Sequence, residues 1–167
     1  MRALVRPAGA LTLAYALMGP LAAPVSVLAA DETVDFASDS PEMNAAIQDA
    51  RRTLDDFLEL HQAGQIDRET AALKVAVPTT EGLCCEHLWM SGFTLDGGKF
   101  TGLVANDPVD VNYLKLGQAY QFARKDISDW NYQAEGKLHG AYTLRVMLPR
   151  LAPDQAAKFR AMLAPLP

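Results

Sequence analysis

The chain has little means of crosslinking itself. Its 167 residues include two cysteines, and these are adjacent, Cys84-Cys85. Neighbouring Cα atoms across a trans peptide sit about 3.8 Å apart, whereas a disulfide prefers ~4.4–6.8 Å. A bridge between them would need a distorted ring, so the pair is not an ordinary staple and the fold must rest on its core. Positive charge is also short: 15 Lys and Arg face 20 Asp and Glu, a net charge of −5. A surface of that sign repels phosphate backbones and anionic headgroups, which argues against nucleic acid and membrane surfaces as partners. Solubility is the plainest use of such a charge. No uninterrupted apolar run reaches the ~20 residues that a spanning helix requires. Internal repeats and low-complexity segments are missing too, which excludes solenoid and linker architectures.

The chain does carry a distinctive opening. Arg2 and Arg6 precede an uncharged, mostly apolar run from Ala8 to Met18, and Val25-Ser26-Val27-Leu28-Ala29-Ala30 follows after Pro20 and Pro24. This is the layout of a secretory signal peptide over residues 1–30, with cleavage after Ala29 or Ala30. The first cysteine lies far downstream, which argues against a lipid anchor. Removing residues 1–30 takes away two of the 15 basic residues and none of the 20 acidic ones, leaving 137 residues with a net charge of −7. That length suits one domain. The expected location is the periplasm.

Residues 31–40 read as a polar, mobile arm. Ser40-Pro41-Glu42 is a helix start: an oxygen for an orphan amide, a proline fitted to the first position, and an acid at the positive end of the dipole. Met43, Ile47, Ala50, Leu54, Phe57 and Leu58 then recur at helical spacing, and Gly64 supplies the stop. From Ala71 the period becomes two. Strands are expected over 72–77, 83–95, 99–105, 118–123, 128–132 and 137–148, with turns at Asp96-Gly97-Gly98 and at 133–136. In the last strand Leu138, Tyr142, Leu144, Val146 and Leu148 alternate with His139, Ala141, Thr143, Arg145 and Met147. Pro149 ends it, and 153–163 forms a short terminal helix. The pattern predicts an α+β domain over 41–148: an amphipathic N-terminal helix packed on a bent antiparallel sheet of five to six strands. A C-terminal helical extension over 149–167 completes it.

Several blocks then carry a resemblance. They are Met43-Asn44-Ala45-Ala46, Lys74-Val75-Ala76-Val77, Glu86-His87-Leu88-Trp89, the run from Gly98 to Val109, Ile127-Ser128-Asp129-Trp130-Asn131-Tyr132, and the run from Gly136 to Val146. Together, and in this order, they resemble the YegJ-like bacterial family, a domain of unknown function of the DUF2314 type. The likeness covers about Pro41 to Leu148. The resemblance implies no catalytic residues to carry over. Related domains ending in a similar aromatic hairpin are counted among candidate bacterial immunity proteins, an analogy and not a mechanism. The adjacent cysteines depart from the family pattern before the Glu-His-Leu-Trp block.

Cys84-Cys85-Glu86-His87 gathers ligand-type side chains. On a strand Cys85 and His87 share a face, half of a tetrahedral metal site whose remaining ligands would have to come from elsewhere, such as His139 or Asp129. A buried cysteine acting as a small hydrophobe explains the same residue. A Cys85–His87 catalytic pair is disfavoured, since two residues along a strand span ~7 Å; Cys85 with His139 stays open. Trp89, Trp130, Tyr132 and Tyr142 either fill the core or line a groove beside Asn106, Asp107 and Asp129. Asp129 and Asp107-Pro108 also read as turn chemistry. The candidate ligand- or partner-binding set is therefore His87, Trp89, Asn106, Asp107, Asp129 and Trp130, with no catalytic residue and no cofactor. The leading expectation is a non-catalytic periplasmic binding or interaction domain, immunity-like or chaperoning, whose partner is another envelope protein. The alternatives are a small envelope hydrolase or thiol-dependent enzyme using Cys85, His87 or Asp129, and a metal-binding protein using Cys85 and His87.

Overall fold

The computed structural model describes residues 40–82 and 85–167. The expected signal peptide, all but the last residue of the arm, and Cys84 lie outside the described residues. Helix α1 (Pro41–Arg52) begins as its sequence predicts: Pro41 takes the first position and the Ser40 hydroxyl accepts from the Met43 amide at 3.4 Å. The single expected helix is divided, however. Thr53 departs from helical geometry at φ −99° and ψ 3°, and α2 (Leu54–Gln62) resumes beyond it. The Thr53 hydroxyl bonds back to the Asp49 and Ala50 carbonyls and also meets the Tyr142 hydroxyl at 2.8 Å. Such back-bonding competes with the helical ladder and bends it.

Six antiparallel strands follow: β1 (Ala72–Pro78), β2 (Cys85–Asp96), β3 (Lys99–Val104), β4 (Ala119–Phe122), β5 (Ile127–Ala134) and β6 (Lys137–Gly140). They lie side by side in the order β4-β3-β2-β1-β5-β6, so β1 is central and β4 and β6 are the edges. Gly97 and Gly98 turn β2 into β3 with φ of 54° and 79°, the paired left-handed conformation of a two-residue hairpin. On one face Leu73, Val75, Val77, Leu88, Met90 and Trp130 form a core with Ala50, Leu54, Phe57 and Leu58 of the two helices. Phe57 stacks on Trp130 with ring centroids 4.9 Å apart. The Trp130 indole N–H donates to the Ala50 carbonyl at 3.0 Å, fastening the sheet to α1. This is the predicted α+β arrangement of helix on antiparallel sheet. Among the described residues no helix is long and apolar enough to cross a membrane.

The C-terminal third departs from expectation. The last strand stops at Gly140 instead of running to Leu148, and α3 (Tyr142–Met147) takes its place. At Gly140 φ is 71°, and a Cβ there would fall against the Trp130 carbonyl oxygen and 2.5 Å from its ring carbon Cε3. Ala141 is left-handed as well, at φ 53°. Two successive left-handed residues end the ladder and turn the chain into a helix. Tyr142 and Val146, one helical turn apart, then pack on the core. A 3₁₀ turn (Leu148–Arg150) leads to α4 (Pro153–Met162). Beyond α4, Leu163 pairs in parallel with Leu138 and the Ala164 amide donates to the Leu138 carbonyl at 2.9 Å, covering part of the β6 edge.

Gly140 is thus the position at which backbone conformation and packing agree on one residue. Overpacking a core costs ~1–3 kcal/mol and a left-handed non-glycine residue a further ~1–2 kcal/mol. Gly140→Ala is expected to lower unfolding free energy by at least about 2 kcal/mol, read as a lower urea midpoint with an unchanged slope.

Candidate functional site

The face of the sheet opposite the core carries the polar residues. Trp89 on β2 and Asp129 on β5 are the direct cross-strand partners of Lys74 on β1, so the three form one row. Just beyond Asp129 the register slips, with Val75 opposite Ile127, leaving Ser128 as an extra residue on β5. The adjacent row on β1 and β2 holds Ala76 opposite His87.

Asp129 is fully buried, and all its acceptor capacity is in use. Its Oδ1 accepts from the amides of Trp130 (2.8 Å) and Tyr142 (3.1 Å). Its Oδ2 accepts from the Thr143 amide (2.8 Å) and hydroxyl (2.7 Å). The carboxylate therefore caps α3 from across the fold, taking amides that have no partner within the helix. The Lys74 ammonium donates to the Thr143 hydroxyl at 3.2 Å and stands 5.4 Å from the centre of the Trp89 ring. Thr143 thus relays between cation and anion, while the indole offers its negative face to the ammonium. Burial pushes the Asp129 carboxyl above its ordinary range; the Thr143 hydroxyl, Lys74 and the Thr143 and Trp130 amides pull it back. Burial likewise lowers the Lys74 ammonium, with Asp129 acting against it. Four donors aimed at two oxygens leave no acceptor for an acid proton, so the site is built around the carboxylate.

His87 keeps one edge in solvent, yet its Nδ1 lies 2.7 Å from the Ser128 hydroxyl. β2 and β5 flank β1, and adjacent strands lie ~4.8 Å apart. The imidazole must therefore reach across β1 at the level of Ala76, whose methyl side chain leaves room for it. Burial on the inner side, then the charges of Lys74 and Arg51, lower the His87 pKa to about 4. Ser128 is buried and also donates to the Lys74 carbonyl at 3.3 Å. Arg51 joins this end of the sheet to α1 through bonds to the Ile127 and Lys125 carbonyls at 2.8 and 2.9 Å.

Of the residues singled out in the sequence, His87, Trp89 and Asp129 come together around Lys74. Asn106 borders them: its Oδ1 accepts from the Trp89 amide at 2.8 Å and so continues the β2 ladder past the end of β3. Asp107 sits exposed in the following loop. Trp130 belongs to the opposite, buried face. Cys85 starts β2 opposite Pro78, whereas His139 pairs with Tyr132 beyond the other end of β1, so the two do not meet. Among the described residues no group of three or more His, Cys, Asp or Glu side chains could hold a metal ion. Lys74, Ser128 and Thr143 were not foreseen. A lone cation within Ala72-Leu73-Lys74-Val75-Ala76-Val77 was a visible signal for the first; the other two depend on the bulge and on the placement of α3.

The family model described as an uncharacterized protein conserved in bacteria (DUF2314) matches residues 40–164, which include every element of this arrangement. The chain belongs to the DUF2314 family. An uncharacterized protein, YegJ, of Escherichia coli (strain K12) is 34% identical to it over 133 residues, covering 80% of this chain and 84% of that protein. A putative ankyrin repeat protein of Neisseria meningitidis serogroup B is 26% identical over 81 residues. That match covers 48% of this chain and 32% of the relative. No solved structure matches this DUF2314 domain.

The charge pair dictates how variants of the domain should behave. Asp129→Asn strands a half-buried cation and part of the α3 start, and is expected to cost about 3 kcal/mol. The double variant Lys74→Met/Asp129→Asn should lose less than the sum of the single losses, measured as a double-mutant cycle in urea. His87 contributes to the pH response. Its folded pKa lies below the unfolded value of ~6.5, so its contribution is full above that value and is lost as pH falls toward the folded pKa of about 4. Urea midpoints should therefore decline between pH 6.5 and pH 4.5 more steeply than in His87→Gln, and the His87 ring resonances should stay those of the neutral form across that interval. Its solvent-exposed edge moderates the size of the effect.

Proposed function

We propose that this DUF2314 domain is a non-catalytic periplasmic interaction module that docks on another envelope protein. The observation that carries this reading is the engagement of the Asp129, Ser128 and His87 side chains by the fold itself. Asp129 is occupied by four donors. The Ser128 hydroxyl is buried and bonded to both the His87 ring and a backbone carbonyl. An attacking group needs a free approach to substrate and a base within reach, and these side chains are instead spent on holding β1, β5 and α3 together.

What the domain offers outward is the loop between β3 and β4. Val109, Tyr113 and Leu116 are 68%, 48% and 56% exposed there, with Leu103 of β3 at 45%. The loop is held from beneath: the Glu86 carboxylate accepts from the Val109 and Asp110 amides, each at 2.9 Å, and the Tyr113 hydroxyl donates to the Pro78 carbonyl at 2.5 Å. An apolar surface fixed in advance loses little entropy on docking. The acidic balance of the chain favours a partner with a basic rim around its apolar patch. Envelope location rests on the charged, apolar and small-residue segments of residues 1–30.

Crosslinking in intact cells, with the protein tagged at its C-terminus, should capture a partner in stoichiometric amount, and Val109→Glu/Leu116→Glu should abolish the capture while leaving the urea midpoint unchanged. The tagged protein should fractionate with the periplasm at a mass lacking residues 1–30, or 1–29. Equal capture by wild type and variant would sink the docking surface. Uncut protein in the cytosol would sink the location.

A further inference from the structure

A concavity lies towards the β6 edge of the sheet, on the face of β5 opposite the Lys74 row. It is a groove of about 280 Å³ between α2, the β5–β6 hairpin and residues 165–167. This is just below the range typical of small-molecule sites, ~300–1,000 Å³, and suits only a small ligand. Its lining includes Asp56, Phe57, Trp130, Tyr132, His139 and Leu166. The rings form a continuous stack: Tyr132 lies over His139 at 4.7 Å and 9°, over Trp130 at 6.1 Å and 12°, and over Phe57 at 6.1 Å and 23°. The third wall is fastened in place. The Ala164 amide bonds the Leu138 carbonyl, the Arg145 guanidinium donates to the Ala164 carbonyl at 2.7 Å, and the Lys137 ammonium donates to the Ala161 carbonyl at 2.6 Å. A groove held by such bonds is formed before any ligand arrives.

Asp56 is the acid among the lining residues. The two ion pairs among the described residues join Arg52 to Asp49 and Arg124 to Asp55, so the Asp56 carboxylate is not engaged by either. Among the described residues none donates a side-chain hydrogen bond to it, and no lysine or arginine lines the groove. Stacked aromatic faces are negative, and a carboxylate at their border adds to that potential; both attract a cation carried on an apolar body.

We propose that this groove binds a small organic cation, an amine or quaternary ammonium attached to an apolar group. The apolar part rests on Tyr132 and Leu166, and the charge sits between Asp56 and the Tyr132–His139 stack. This site is independent of the docking loop and does not need the interaction reading to hold.

The test uses benzyltrimethylammonium as the cationic probe, with benzyl alcohol and benzoate as neutral and anionic comparators, on the purified protein observed by amide NMR. Benzyltrimethylammonium should shift the amide signals of Asp56, Tyr132, His139 and Gly140 in a saturable manner at millimolar concentration. Benzyl alcohol should bind more weakly and benzoate should leave these signals in place. Asp56→Asn, on an exposed helical position, should weaken binding of the cation about fivefold while leaving benzyl alcohol unaffected. The proposal is overturned if the cation shifts none of these signals, if benzoate binds as well as the cation, or if Asp56→Asn binds the cation unchanged.

Discussion

A single carboxylate governs the architecture. Stripped of partners, a buried ionised Asp129 would cost several kcal/mol; here it is offset by three backbone amides, a hydroxyl and the ammonium of Lys74 behind that hydroxyl. These partners come from β1, β5 and α3, which share no local sequence. Desolvation is therefore tolerated only when all three elements are in place, and each element loses a satisfied polar group if another shifts. Trp130, the next residue, points to the other face and donates its indole N–H to the carbonyl of Ala50 on α1. Two consecutive residues thus tie the polar face to the helical layer.

How far the fold was legible depended on whether the deciding chemistry was local. The Ser40-Pro41 start, the Gly97-Gly98 hairpin and the alternation of β1 needed neighbours only a few residues away, and they stand as the sequence reads. The segment from Ala141 to Leu148 was ambiguous, because Tyr142 and Val146 satisfy a period of two and a helical turn equally well. What selects the helix is the approach of Gly140 to the Trp130 ring and the capping of α3 by Asp129. Both are contacts between β5 and the segment after β6, so no periodicity could announce them. The break at Thr53 has a similar origin, since a hydroxyl from Tyr142 and the Trp130 indole converge on it.

The candidate site followed the same rule. His87, Trp89, Asn106 and Asp129 stood out by residue type, and the sheet register carries His87, Trp89 and Asp129 to neighbouring positions around Lys74, with Asn106 at their border. Ser128 joined them through an unpaired residue in the β5 ladder, and Thr143 through a helix that looked like a strand. Trp130 stood out equally but was claimed by the core, as large rings in small sheets often are. The polar row and the aromatic groove lie on opposite faces of β5, back to back at Asp129 and Trp130.

The two margins of the sheet differ in what they leave open. β6 is partly covered by the strand-like pairing of Leu163 with Leu138, while β4 at the far side consists of four residues. Both margins are only four residues long, which gives a stray extended chain little backbone to pair with, and the cover on β6 removes part of one of them. Short or covered margins of this kind disfavour edge-to-edge growth of the sheet from one molecule into the next.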